Sequence, residues 1–124
     1  MDLTRFWRSI LEQNRNALAT FFCPDAIIRW HCTNEQFTVP EFTQANCEYP
    51  GEWDGTIERA DHYGDQLITV VNVFPKDRSA SFHVVSFFGI KDDKITTLDE
   101  YWSDDGNAPA WRKNMGIGKP IRII

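Results

Sequence analysis

A chain of 124 residues, 42% of them hydrophobic, holds one domain with a core of its own. Its 13 basic and 18 acidic residues give a net charge of −5 (13 − 18) with no Lys/Arg cluster, which argues against nucleic acid and anionic membrane surfaces as partners. Cys23, Cys32 and Cys47 are odd in number and lack CxxC spacing. That argues against a disulfide framework or zinc knuckle and for free thiols in a reducing compartment.

Phe6, Trp7, Ile10, Leu11, Asn14, Ala17 and Leu18 approximate a helical stripe that breaks near Gln13-Asn14. Two short helices are predicted, at 2–13 and 15–22. Pro24-Asp25 then turns the chain, and the β-branched and aromatic run Ala26–Cys32 predicts a strand. Thr38-Val39-Pro40-Glu41 is a capping box with proline in the first turn, so a third helix starts near Val39 and stops at Pro50-Gly51. Its Phe42, Ala45, Asn46 and Tyr49 share one face. The remainder reads as four strands, at 53–62, 66–74, 79–90 and 94–102, joined by short turns that imply antiparallel neighbours. Helices first and strands later define an α+β domain, with three helices covering one face of a bent antiparallel sheet. No signal-peptide pattern or membrane-length apolar run is present, so a cytoplasmic protein is expected.

The last hairpin permits a parity argument. With Asp92-Asp93 as the turn, Lys91 pairs with Lys94, and Trp102 then lies opposite His83, Glu100 opposite Val85, and Leu98 opposite Phe87. These six would share the inner, mostly apolar face. His83 and Glu100 would meet there as a candidate acid–base pair, or as a satisfied pair that pins the sheet. Asn46 would either orient a ligand carbonyl or cap an orphan backbone group. Trp30, on the first strand, would stack on a flat ligand or simply fill the core, with His31 pointing the other way. Cys32 and Cys47 read as small buried hydrophobes. His62 reads as a surface residue, and Asp104-Asp105 as a solvated turn or a pocket rim. The three histidines lack a metal-type spacing, so neither metal nor cofactor is expected.

The element order, the stretch Phe22-Cys23-Pro24-Asp25-Ala26-Ile27-Ile28 and the stretch Ile95–Ser103 resemble the nuclear transport factor 2 (NTF2)-like superfamily in its SnoaL-like, polyketide cyclase-like branch. The segments Trp30–Phe37 and Asn46–Trp53 are similar to a bacterial subgroup of that branch. The resemblance spans nearly the whole chain. It implies a cone-shaped α+β fold, an internal pocket and a homodimer packed through the sheet. Ketosteroid isomerase shares the superfamily, and its catalytic groups match Phe6, Trp30 and, by an ungapped reading, Val85. None of these can do that chemistry, so that reaction with those groups is excluded. The same comparison places Leu98, Glu100 and Trp102 on the pocket wall and Asn46 where a pocket tyrosine sits.

Two readings follow. One is cofactor-independent acid–base chemistry (isomerisation, cyclisation, dehydration or hydrolysis) on a small apolar molecule. There His83 and Glu100 would be catalytic, and Asn46, Trp30, Trp102, Phe42, Val85, Phe87 and Leu98 would bind the substrate. The other is a non-catalytic module that binds a small ligand or assists protein assembly, with Trp30, Trp53 and Trp102 supplying aromatic area and the polar pair only fixing the pocket's shape.

Overall fold

The computed structural model describes residues 1–122; the last two residues lie outside the described residues. The elements run α1 (Leu3–Leu11), α2 (Arg15–Ala19), β1 (Phe22–Trp30), β2 (Glu35–Phe37), α3 (Val39–Cys47), β3 (Trp53–Tyr63), β4 (Gln66–Pro75), β5 (Phe82–Lys91), β6 (Lys94–Asp104) and α4 (Ala110–Lys113). The break between the first two helices falls where the sequence puts it. Gln13 has a left-handed backbone (φ 55°), and the Asn14 side chain accepts from the Ala17 amide to cap α2. The capping box opens α3, with Thr38 and Glu41 bonding each other's backbone amides.

Six strands form one open sheet in the order β2-β1-β6-β5-β4-β3. It is mixed rather than wholly antiparallel, because β1 runs parallel to β6. The predicted turn at Pro24-Asp25 is part of β1 instead, where an irregularity between Phe22 and Ile27 accommodates a residue that cannot donate to the ladder. Consequently α2 ends at Ala19, short of Phe22. The short strand β2 and the exposed helix α4 carry no periodic signal and were not foreseen. Among the described residues, no helix is long and apolar enough to cross a membrane.

The register of the last hairpin corrects the parity argument. Lys91 does pair with Lys94, across Asp92 and Asp93, which both adopt positive φ (52° and 62°) as a type I′ turn requires. Ile90 then pairs with Ile95, but Gly89 pairs with Thr97, so Thr96 is an extra, bulged residue. Gly89 permits this approach: a Cβ there would collide with Thr97 Oγ1. Beyond the bulge every partner moves by one, giving Phe88 with Leu98, Ser86 with Glu100, and Val84 with Trp102. His83, Val85 and Phe87 therefore face away from Leu98, Glu100 and Trp102. Two further irregularities, at Glu58 on β3 and near the start of β1, interrupt the ladder.

The core lies between the helices and the inner face. Phe6 is completely buried and makes edge-on contacts with Trp7, Phe21 and Phe88, at centroid distances of 5.3 to 5.6 Å. Ile28, Val71, Val84, Phe88, Ile95 and Leu98 supply the sheet's share of this core. Burial on this scale, at about 25 cal/mol per Å² of apolar surface, is what holds the short helices in place.

Candidate functional site

A row of polar groups crosses the inner face at one level. The pairings Trp30–Glu100, Ser86–Glu100 and Thr69–Ser86 align one side chain from each of β1, β6, β5 and β4. Glu100 is 2% exposed. The Trp30 indole N–H donates to its Oε1 (3.1 Å), and the Ser86 hydroxyl donates to its Oε2 (2.6 Å). Trp102 Nε1 lies beside the same carboxyl but makes no hydrogen bond of acceptable geometry. Burial pushes the Glu100 carboxyl above the usual carboxylate range, and the hydrogen bonds from Ser86 and Trp30 offset this only in part. Thr69 Oγ1, next in the row, is buried without a partner among the described residues.

Beside this row opens a cavity of about 610 Å³. Ile10 and Leu11 of α1, Asn46 and Tyr49 at the end of α3, and the inner face of the sheet enclose it. Trp30, Trp53 and Trp102 are its largest walls, joined by Val73 and Phe82, with the exposed Cys32, Thr33, Ser103 and Asp104 at its edge. Each indole turns its N–H elsewhere. That of Trp30 is bonded to Glu100, that of Trp102 is buried beside the same carboxyl, and that of Trp53 is buried 3.3 Å from where a Gly51 Cβ would stand. The rings thus present carbon surface to the hollow.

Of the residues singled out from sequence, Trp30, Trp53, Trp102 and Asn46 line this cavity, and Asp104 lies at its edge. Phe42 (1% exposed) and Leu98 (fully buried) face inward but are packed into the core. Asn46 Nδ2 donates to the Ile10 carbonyl (3.1 Å), so its amide caps the end of α1. Gln13 Nε2 ties the same junction by donating to the Asn46 and Tyr49 carbonyls, a role the sequence did not suggest.

His83 does not meet Glu100, and the expected acid–base pair is absent from the inner face. The bulge at Thr96 turns His83 outward, where its Nδ1 lies 2.6 Å from Asp105 Oδ1 and its Nε2 3.0 Å from Glu58 Oε1. Hydrogen bonding to Asp105 raises the His83 pKa; partial burial opposes the shift, and Glu58 reinforces it. For Asp105, burial acts upward, but hydrogen bonds from Ser81 and His83 prevail and hold it below its ordinary value. Val85 and Phe87 sit on that outer face too, Phe87 being 39% exposed, so neither is a pocket wall. The ungapped match of Val85 to an interior catalytic position fails with the same register. His31 does point away from the cavity. Its Nε2 lies 2.7 Å from Asp99 Oδ1, and its ring stacks on Tyr101 at 4.4 Å with planes 9° apart. Cys32 is exposed rather than buried, and Cys47 is half-buried. Glu48 forms an exposed ion pair with Arg15 (3.2 Å). Among the described residues, no group of three or more His, Cys, Asp or Glu is placed to hold a metal ion.

Ser86 and Thr69 were missed, although each interrupts an alternating apolar series on a strand otherwise buried at that parity. The bulge also had a signal. Ile95 and Leu98 are both fully buried yet three residues apart, a spacing that a regular strand cannot keep on one face.

No family model and no curated protein sequence matches the chain. Solved structures do. A candidate ketosteroid isomerase from Kribbella flavida superposes with a TM-score of 0.78 at 19% identity, over 94% of this chain and 86% of that one. An NTF2-like protein of unknown function from Burkholderia xenovorans gives 0.77 at 19% identity, over 95% and 91%. A protein with a ketosteroid isomerase-like fold from Catenulispora acidiphila, solved with trimethylamine, gives 0.67 at 20% identity, over 82% and 84%. The chain therefore has the α+β NTF2-like fold, which SnoaL-like cyclase structures also share. At these identities the likeness defines the fold and leaves activity to the site.

Proposed function

We propose that this protein binds a small, flat, mainly apolar molecule in the tryptophan-walled cavity. The observation that carries this reading is the composition of the wall: three indoles and aliphatic groups surround about 610 Å³, while the acid–base candidate His83 lies on the other side of the sheet. The Catenulispora protein of the same fold, bound to trimethylamine, supports small-ligand occupancy as a use of such a scaffold. Free Cys23, Cys32 and Cys47 support a cytoplasmic setting. A set of neutral flat aromatics, titrated against the protein by thermal unfolding, tests the reading. A ligand at a hundred times its dissociation constant adds about 2.7 kcal/mol to stability. Trp102→Ala should weaken that binding at least tenfold while leaving a cooperative unfolding transition. Equal stabilisation of wild type and Trp102→Ala, or none by any member of the set, rejects it.

A second reading, acid chemistry at the same cavity, is favoured by one observation. The Glu100 carboxyl is pushed toward its neutral form by burial and stands directly behind Trp30 and Trp102. In this reading Glu100, and not His83, is the acid, and the Trp30 and Trp102 rings that stand between it and the hollow would have to move to bring substrate within hydrogen-bond reach.

We also propose that two copies pair through the outer sheet face. Ile68, Val70, Val85, Phe87 and Tyr101 form its apolar centre, and Arg29, Arg59, Asp61 and Asp99 supply both signs of charge around it. A surface with both signs at its rim can complement a second copy of itself.

A further inference from the structure

We propose that the cavity selects a ligand bearing an alkylammonium cation, an inference that rests on the small-ligand reading above. Three features of the wall argue for it. Trp30, Trp53 and Trp102 show the hollow carbon surface rather than N–H donors, and Tyr49 and Phe82 add two more rings. Aromatic faces attract a cation through their quadrupole, and a substituted ammonium, being bulky and poorly hydrated, gains most from such a cage. Among the described residues, no lysine, arginine or histidine lines the cavity, so no cationic side chain there repels a positive ligand. One acid does line it. Asp104 pairs with Phe82 across the strands and reaches the cavity edge, and its carboxylate has no ion-pair or hydrogen-bond partner among the described residues. The neighbouring Asp105, by contrast, is occupied by His83 and Ser81 on the far side of the sheet.

An anionic ligand fares badly here: it would meet Asp104 and, among the described residues, find no cationic side chain on the lining, while the Asn46 amide is engaged by the Ile10 carbonyl. A neutral ligand would use the indole surfaces but leave the acid unused. The chain's net charge of −5 also favours approach of a cation.

The test is a matched pair of probes of nearly identical shape, benzyltrimethylammonium and its uncharged isostere 2,2-dimethylpropylbenzene. Each is titrated against the wild-type protein and Asp104→Asn, and the indole N–H signals are followed by NMR. The expected result is that the cation binds about tenfold more tightly than the isostere. Asp104→Asn should remove roughly fivefold of that preference, through the lost Coulomb attraction, and leave the isostere unchanged. Equal or tighter binding of the neutral probe overturns the cation preference while the cavity stands as a binding site. If neither probe shifts the signals of Trp30, Trp53 and Trp102, the cavity reading falls as well. An unchanged cation preference in Asp104→Asn removes that carboxylate from the site and overturns the proposal as stated.

Discussion

Replacing Glu100 with alanine should cost roughly 3 kcal/mol of stability near pH 5, whereas Glu100→Gln should cost less than about 1 kcal/mol. The alanine leaves the Trp30 N–H and the Ser86 hydroxyl without partners in the interior and opens a void between them. Glutamine can still accept from Trp30 and meet Ser86. The two variants also separate in their pH dependence. Because the folded-state pKa of Glu100 is raised, the unfolded chain releases this proton at a lower pH than the folded one does. Stability from this group is complete below the unfolded pKa and is lost as pH rises toward the folded value. The limiting slope is about 1.4 kcal/mol per pH unit for one proton. Glu41, Asp77, Asp93 and Asp105 have lowered values and act in the opposite sense. The difference between wild type and Glu100→Gln therefore isolates Glu100. Urea unfolding from pH 4 to pH 9 should show Glu100→Gln gaining on the wild type as pH rises. A constant difference over that range contradicts a buried carboxyl.

Phe87→Glu should convert a dimer into a monomer at micromolar concentration, weakening association by a hundredfold or more. Phe87 stands at the centre of the outer face, 39% exposed and packed edge-on against Tyr101 at 6.0 Å. A stable interface of ordinary size removes about 800 Å² per partner from water, with large apolar side chains at its middle. A glutamate there is desolvated without a counter-charge, and two-fold symmetry brings its copy close. Since the side chain points away from the core, the fold should keep its unfolding midpoint to within the loss attributable to dissociation. Sedimentation velocity of the two proteins gives the answer. A wild type that stays monomeric at high concentration, or a Phe87→Glu variant that stays dimeric, rules out this face as the interface.

What the sequence made legible was local. The capping box at Thr38, the helix break at Gln13-Asn14 and the Asp92-Asp93 turn each rest on side chains within a few residues, and each lies where expected. Leu98, Glu100 and Trp102 share the inner face because they are two residues apart on β6 beyond its bulge, a spacing that holds whatever the pairing register. The β5 strand gave no such guide. His83, Val85 and Phe87 on one side and Phe82, Val84 and Phe88 on the other are both largely apolar. Hydrophobic pattern alone cannot choose between them. One bulged residue, Thr96, then decided which set met Glu100. The cavity shared this limit. Val73 and Phe82 belong to it through register, which depends on pairings far apart in the chain.

The division of the sheet into an indole-walled inner face and a titratable outer face is tested most directly by following the His83 ring signals by NMR through a pH titration. Wild type, Glu100→Gln and Asp105→Asn are compared. The register with a bulge at Thr96 predicts that His83 titrates above an ordinary histidine, unchanged by Glu100→Gln, and drops in Asp105→Asn. A midpoint that moves with Glu100→Gln and ignores Asp105→Asn would put the imidazole back inside with the glutamate and contradict the arrangement described.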